Sequence, residues 1–293
     1  MQSAANSVAA NRAMSYFSET ARFSDLTLGL DFYRVGADYE EHFEDKKEEL
    51  IGRLKDLIRL VFTKENLMVS VTCDEKGFEG VFDMVERIKD ALPATEEKRP
   101  LTQLTCVRKN EGFMDASKVQ YVAKAGNFKN AGYSYSGVLK ILKVILSYDY
   151  LWQNVRVKGG AYGCGGGFMR NGNVYFSSFR DPNLEKTKEV YLRAFTADER
   201  DMTKYIIGTV SELDTPLTPA AKGMRSVSAY LTGVTYEDIQ REREEVIGAS
   251  KEDVRKTADL ISAILSEENF CVIGNEEKIM EQKELFLQTD LLF

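Results

Sequence analysis

Residues 151–181 read LWQNVRVKGGAYGCGGGFMRNGNVYFSSFRD, and this stretch decides how the second half of the chain folds. Two segments with strand character, AYGCGGGFM and NVYFSSF, are separated by Asn171 and Gly172. An Asn-Gly pair between two such segments is the strongest short-range signal for a β-hairpin. The stretch therefore predicts two antiparallel strands joined by a tight turn.

The first predicted strand is unusually rich in glycine. Glycine weakens a strand, so such density usually marks the close approach of another part of the backbone. Period-two alternation gives the strand one bare face, formed by Ala161, Gly163, Gly165 and Gly167. We expect a helix to pack closely on that face, with Tyr162, Cys164 and Phe168 pointing the other way.

A strongly amphipathic segment precedes the hairpin. Residues 136–157 predict a helix whose apolar side carries Leu139, Leu142, Val144, Ile145, Tyr148 and Leu151. Gly159 and Gly160 are expected to end this helix. After the hairpin, Asp181 and Pro182 predict the start of a second helix, with Asp181 as N-cap and Pro182 as its first residue.

The flanking sequence completes the fold class. LTCVRK near Leu104 and VQYVAKA near Val119 predict strands, and residues 185–265 follow a helical pattern almost throughout. ENFCVIG, at residues 268–274, then returns to a strand. Strands followed by a helical block and a final strand predict an α+β layered fold rather than alternating βαβ units.

An internal repeat bears on domain organisation. DLIRLVFTKENLMVSV, residues 56–71, matches DLISAILSEENFCVIG, residues 259–274, and each copy predicts a helix end, a polar turn and a buried strand. Chance similarity is one interpretation; duplication of a unit of about 200 residues is the other. Under duplication, residues 1–103 are the C-terminal part of a first α+β domain plus a linker, beginning inside the repeat. Residues 104–293 are then a second, nearly complete domain.

Composition narrows the functional classes. The chain has 293 residues, 43% of them hydrophobic and 29% charged, with a net charge of −7. This acidic balance, without a basic stripe, argues against a nucleic-acid partner. The start of the chain lacks the apolar run of a signal peptide or membrane anchor. Four scattered cysteines without a C-x-x-C pair argue against a cysteine metal site and predict a cytoplasmic location.

Two further motifs carry a family resemblance. RVKGGAYG at residues 156–163, followed by SFRDPN at residues 178–183, resembles the presequence-protease branch of the pitrilysin/insulinase zinc peptidases, as does the segment at residues 11–34. The resemblance implies homologous α+β domains of the inverzincin metallohydrolase type, arranged as two halves that close around a peptide. The N-terminal half of such enzymes binds zinc through H-x-x-E-H, and the C-terminal half supplies an Arg and a Tyr.

Those two residues correspond to Arg156 and Tyr162. The resemblance implies that the Arg156 guanidinium holds a substrate carbonyl and that the Tyr162 hydroxyl donates to the oxyanion of the tetrahedral intermediate. Gly159 and Gly160 would set the spacing between the two. Without the resemblance, Arg156 is a cation favoured at a helix C-terminus, and Tyr162 is a half-buried strand aromatic.

The resemblance therefore implies the C-terminal half of a zinc-dependent endopeptidase that degrades unfolded oligopeptides. Its partners would be the N-terminal half, which binds the zinc, and the peptide substrate. Two alternatives stay open: a metal-free partner subunit that completes an active site in trans, and a non-catalytic peptide-binding or scaffold protein. Neither nucleic acid nor membrane is an expected partner.

We predict that this chain by itself has no peptidase activity and binds no stoichiometric zinc. The physical reason is that His42 is its single histidine, whereas H-x-x-E-H requires two. Metal analysis of the purified chain checks this prediction. One tightly bound zinc ion per molecule would contradict it.

Overall fold

The computed structural model describes residues 4–95, 102–193 and 202–292. The chain divides into two compact units. The larger unit consists of Met1–Tyr33, Gln103–Asp214 and Gln240–Phe293, and the smaller unit of Arg34–Thr102 and Thr215–Ile239. The sequence predicted two consecutive domains with one boundary between residues 103 and 104. The compact units are divided differently, because the first 33 residues belong with the second half of the chain.

The larger unit contains a six-stranded mixed sheet in the order β3-β4-β2-β5-β1-β6. Strand β1 is parallel to both β5 and β6, and the remaining pairs are antiparallel. The α+β class predicted from the sequence is therefore confirmed. The strands are β1 Glu111–Asp115, β2 Gln120–Asn127, β3 Gly163–Phe168, β4 Asn173–Phe179, β5 Asn269–Asn275 and β6 Gln288–Leu291.

The predicted hairpin is present as β3 and β4. The two strands pair antiparallel from Gly163 opposite Phe179 to Phe168 opposite Val174. Gly172 has φ +99°, a backbone conformation that only glycine adopts without strain. The strands predicted near Val119 and at residues 268–274 are confirmed as β2 and β5.

The strand predicted near Leu104 is wrong. Residues 102–110 have no regular secondary structure, and β1 begins at Glu111. The apolar residues of LTCVRK resemble a strand locally. The sheet instead takes up the following segment, in which Glu111 pairs in register with Cys271 on one side and Gln288 on the other.

The described chain also contains thirteen α-helices. Their bounds are α1 Ala5–Ser15, α2 Glu19–Leu28, α3 Leu30–Glu41, α4 Phe43–Val61, α5 Glu75–Ala91, α6 Val138–Ile145, α7 Glu185–Leu192, α8 Thr203–Leu213, α9 Pro219–Thr232, α10 Tyr236–Ile247, α11 Lys251–Arg255, α12 Thr257–Ser266 and α13 Glu276–Glu281. None of the helices in the described ranges is long and apolar enough to cross a membrane.

Alternation along the strands gives the sheet two apolar faces, and each is covered by helices. Tyr121 and Ala123 of β2 belong to a core shared with α1. Val122 lies in a second, larger core on the opposite face, together with residues of α6 and α12. The larger unit is therefore a sheet between two helical layers, as period-two burial on both faces requires.

A buried ion network attaches the first two helices to the sheet. The Arg12 side chain is 1% exposed; its Nε and Nη2 donate to the Glu111 carboxylate at 2.6 and 2.8 Å. Its Nη1 donates to Asp25 of α2 at 2.5 Å. Burial raises the pKa of Asp25, although the charge of Arg12 opposes that shift. Because a buried charge must be paired, this network explains why residues 1–33 belong to the larger unit.

Contrary to expectation, no helix among the described residues packs closely on the bare face of β3. An added Cβ at Gly165 would meet nothing within 4 Å, whereas at Gly166 and Gly167 it would lie 2.8 Å from the Phe176 ring and 2.7 Å from the Tyr175 ring. The helices instead contact β3 on its Cys164 and Phe168 side. Gly166 and Gly167 therefore make room for aromatic rings of the neighbouring strand and not for a helix.

In the smaller unit, the first copy of the repeat has the predicted helix end and turn but not the predicted strand. Residues 56–61 end α4, and a 3₁₀ turn follows at Lys64–Asn66, as the repeat predicts. Residues 67–71 form no strand, whereas their counterparts in the second copy form β5. A strand needs a neighbour to bond its backbone groups, and no other strand occurs among the described residues of this unit. The predicted first-copy strand is therefore wrong.

We predict that Glu111→Gln lowers the free energy of unfolding by about 1.5–3 kcal/mol, because a neutral amide replaces the carboxylate that accepts two buried N–H groups of Arg12, while Asp25 still pairs with that charge. Urea unfolding of the purified chain measures this change. Glu49→Gln is the matched control, since Glu49 pairs with Arg53 on an exposed helix surface. We expect a change of about 1 kcal/mol or less there. Equal effects of the two substitutions would contradict a structural role for the network.

Candidate functional site

The helix before the hairpin changes its winding as it approaches the site. Helix α6 continues into two π-helical segments, Leu146–Tyr150 and Trp152–Val157. The Lys158 N–H donates to the Gln153 carbonyl at 3.0 Å, which closes one of these wide turns. The predicted helix over residues 136–157 is thus confirmed, but its π turns were not predicted. They are rare, are often found at functional sites, and change the direction in which Arg156 leaves the helix.

The two glycines after the helix form a turn that other residues would strain. A Cβ at Gly159 would lie 2.3 Å from the Val155 carbonyl oxygen, and Gly160 has φ +84°. The Gly160 N–H donates to the Arg156 carbonyl at 2.8 Å. The glycines end the helix, as predicted, and bring the chain directly to the start of β3.

Arg156 and Tyr162 line the same cavity. Its volume is about 510 Å³, and Val119, Val157, Gly160, Ala161 and Arg180 complete its wall. The guanidinium carbon of Arg156 lies 3.8 Å from the centre of the Trp152 ring, within cation–π distance. The Tyr162 side chain is 68% exposed. The cavity is therefore lined by two arginines, one of them stacked on Trp152, and by one accessible phenol.

Asp181 connects the segment after β4 to β2 and to α7, which the sequence did not predict. Its backbone exchanges two hydrogen bonds with that of Gln120, at 2.7 and 2.8 Å, and so pairs with the first residue of β2. Its carboxylate accepts from the Asn183 N–H at 2.9 Å and from the Thr187 hydroxyl at 2.7 Å. Burial raises the pKa of Asp181, although these hydrogen bonds oppose the shift.

The predicted N-cap role of Asp181 is therefore wrong. Helix α7 begins at Glu185, with Leu184 at the N-cap position and no side-chain cap. The pairing of Asp181 with β2 keeps the chain extended, and its side chain is already bonded to Asn183 and Thr187.

Asn183 is a residue of the site that sequence reasoning missed. Its Nδ2 donates to the Gly159 carbonyl at 2.6 Å, across 24 residues of sequence. The preceding Pro182 lies against Gly160, with its Cγ 3.4 Å from the position of an added Cβ. The SFRDPN motif therefore holds the glycine turn of the first motif in place. The only signal for this in the sequence is that both motifs take part in the family resemblance.

Comparison with known proteins identifies the family. Residues 110–276, more than half of the chain, match the family described as PreP C-terminal domain. The chain belongs to the presequence-protease C-terminal domain family. The resemblance drawn from the two motifs is thereby confirmed.

Two curated relatives match almost the whole chain. Protein HypA of Clostridium perfringens is 41% identical over 285 residues, which cover 95% of this chain and 29% of the relative. Presequence protease 1, chloroplastic/mitochondrial, of Arabidopsis thaliana is 30% identical over 287 residues, which cover 95% and 27%. The chain thus spans less than a third of the length of these relatives.

Among solved structures, the chain is similar to pitrilysin, with a TM-score of 0.47 and 13% identity over 68% of this chain and 23% of that one. It is also similar to a protease from Helicobacter pylori, with a TM-score of 0.46 and 14% identity over 67% and 52%.

Within this presequence-protease domain, Tyr162 lies on a different side of the hairpin from the one expected. Its ring makes an edge contact with Phe179, at 5.8 Å between centroids. Phe179 is paired with Gly163, so Tyr162 lies beside the bare glycine face rather than opposite it. The alternation argument failed because β3 begins at Gly163 and does not include Tyr162.

Among the described residues of this presequence-protease domain, no group of three or more His, Cys, Asp or Glu side chains could hold a metal ion. His42 is exposed on the surface, where its ring contacts Asp38. Cys164 also lies near the site, but burial raises the pKa of its thiol to about 11, so it is protonated at neutral pH. No nucleophile or metal ligand is therefore assigned here.

We predict that Gly160→Ala lowers the free energy of unfolding by about 1–2 kcal/mol, because an L side chain is strained at positive φ. The matched control is Gly165→Ala, where a Cβ meets nothing within 4 Å and no positive φ occurs. There we expect a change within about 0.5 kcal/mol. Urea unfolding of the two variants is the measurement. A Gly160→Ala chain as stable as the original would show that the turn is not constrained in this way.

Proposed function

We propose that this chain is the C-terminal half of a zinc-dependent endopeptidase that degrades unfolded oligopeptides. It would supply part of the chamber wall together with Arg156 and Tyr162. The observation that carries the proposal is that these two side chains line one open cavity. Several relatives of this chain are presequence proteases, so targeting presequences are the first substrates to test.

Arg156 is suited to hold the substrate in place. Its guanidinium carries several N–H donors in one plane, which suits a carbonyl oxygen. Stacking on Trp152 restricts the side chain before substrate arrives, so less freedom is lost when it binds a peptide carbonyl. We propose that it donates to a carbonyl of the substrate both before and during the reaction.

Tyr162 is suited to act on the transition state. Its hydroxyl is a hydrogen-bond donor on a largely exposed ring that makes an edge contact with Phe179. A donor aimed at the developing oxyanion is worth more in the transition state than in the ground state, because the negative charge forms only there. We propose this oxyanion-stabilising role for Tyr162.

Zinc would belong to another part of the complete enzyme. We propose that the N-terminal half, as the partner of this chain, binds it and faces the cavity of Arg156 and Tyr162. This chain would contribute substrate binding and charge stabilisation. A cytoplasmic location stays a prediction from the four free cysteines.

We predict that Tyr162→Phe in the complete enzyme lowers turnover by about 10²–10³-fold, the usual loss when one oxyanion donor is removed. Substrate affinity should change much less, because the hydroxyl acts mainly in the transition state. Steady-state kinetics with a presequence peptide measures both quantities. Tyr230→Phe is the matched control, since Tyr230 is 79% exposed on α9 of the smaller unit.

Arg156→Ala gives a contrasting result under the same proposal. Because a carbonyl clamp acts before and during the reaction, both affinity and turnover should fall. Arg193→Ala, which removes an exposed cation after α7, should change neither. Normal turnover of the Tyr162→Phe enzyme would return Tyr162 to the role of an ordinary surface aromatic.

A further inference from the structure

The outer edge of β3 is left unprotected. Strand β3 is the last in the sheet order, and no described strand pairs with its outer side. Proteins usually protect such edges with short strands, charges or proline. The other edge follows this rule, because β6 is only four residues long and carries Asp290. Strand β3 has six residues, GCGGGF, without a charge or a proline.

The strand register shows which backbone groups face outward. The Met169 N–H donates to the Asn173 carbonyl at 2.8 Å, which marks that pair as hydrogen-bonded. Bonded pairs alternate along an antiparallel ladder, so Gly165 and Gly167 bond to β4. The N–H and C=O groups of Cys164, Gly166 and Phe168 therefore point away from the sheet. No hydrogen bond from another described residue reaches them.

A groove of about 460 Å³ runs beside this edge. One side is formed by Asn6 of α1, and the other by the helical layer that contains Lys143 and Tyr148. Its lining also includes Ser147, Tyr162, Gly163, Cys164, Gly165, Gly166, Tyr175, Ser177, Phe179 and Glu212. The space beyond Gly165 is open. An extended chain placed between the two walls would face the outward backbone groups directly.

The groove is continuous with the candidate site through Tyr162. This residue lines both the edge groove and the cavity that contains Arg156. Since β3 begins immediately after Tyr162, a chain running along the strand passes the phenol at the end of the groove.

We propose that an extended peptide segment binds along the outer edge of β3 as an additional strand of the sheet. Its backbone would bond to the outward groups of Cys164, Gly166 and Phe168. Recognition through backbone groups tolerates varied side chains and requires an extended chain. The identity of this peptide as a substrate rests on the proposed function. The edge thus provides a physical reason for selecting unfolded oligopeptides over folded proteins.

The first test uses Cys164→Pro, which removes one outward N–H. Proline is tolerated where an edge N–H faces away from the sheet, so the β4 ladder stays intact. The probe is a fluorescein-labelled, arginine-containing oligopeptide without stable structure, titrated with the full chain and followed by fluorescence anisotropy. We expect Cys164→Pro to weaken binding about 3- to 10-fold, as the loss of one backbone hydrogen bond predicts. Cys164→Ala removes the thiol but keeps the N–H, so it should bind as the original chain does.

The second test places the change in the probe. Each peptide of a series has the same sequence and carries one backbone N-methyl group, at a different position from one peptide to the next. Each peptide is titrated with the unaltered chain. Strand pairing predicts that affinity falls at every second position, because alternate N–H groups face the edge. This series decides the question even if Cys164→Pro fails to fold, which its thermal unfolding would reveal.

Unchanged affinity of a folded Cys164→Pro chain, or an N-methyl series without period two, would overturn the edge proposal. Either result leaves the Tyr162 proposal standing if Tyr162→Phe still loses turnover. Conversely, a period-two series together with normal turnover of Tyr162→Phe would support peptide binding at β3 and reject the oxyanion role.

Discussion

The pairing of Arg12 with Glu111 is the interaction on which the larger unit depends. A buried arginine that is only 1% exposed needs an opposite charge beside it. The two oxygens of Glu111 supply that charge and accept two short hydrogen bonds. This pair joins α1, near the start of the chain, to β1, which lies about a hundred residues later. It holds α1 against one face of the sheet. The opposite face is left to α6 and α12.

The candidate site forms at the end of the sheet farthest from β1. There the chain leaves a π-helical segment at Arg156, turns through two glycines and enters β3 beside Tyr162. Asn183 holds the turn through the Gly159 carbonyl, and Asp181 joins the same segment to β2. The site residues therefore stand on elements that are anchored to the sheet. Such anchoring suits the roles proposed for Arg156 and Tyr162, since a carbonyl clamp and an oxyanion donor both act only at short distance.

Several features of the fold were readable from the residues alone. Asn171-Gly172 identified the hairpin, the apolar spacing of residues 136–157 identified the helix, and the α+β class followed from the order of elements. These signals are local, so they survive in any tertiary context. The errors came where local signals competed with pairing. LTCVRK was predicted as a strand, but the strand that pairs in the sheet begins at Glu111. Residues 67–71 form no strand, because no described strand lies beside them.

By itself, the sequence determined the fold class, the family and the two residues proposed to act on substrate, because motif and periodicity are properties of neighbouring positions. Only the tertiary structure decided that Tyr162 lies beside the glycine face, that Asn183 supports the turn, and that no described strand pairs with the outer edge of β3. Each of these depends on segments far apart in the chain, such as Gly159 and Asn183, meeting at one edge of the sheet. Contacts of that kind are set by strand order and burial, and strand order is decided only when the whole sheet assembles.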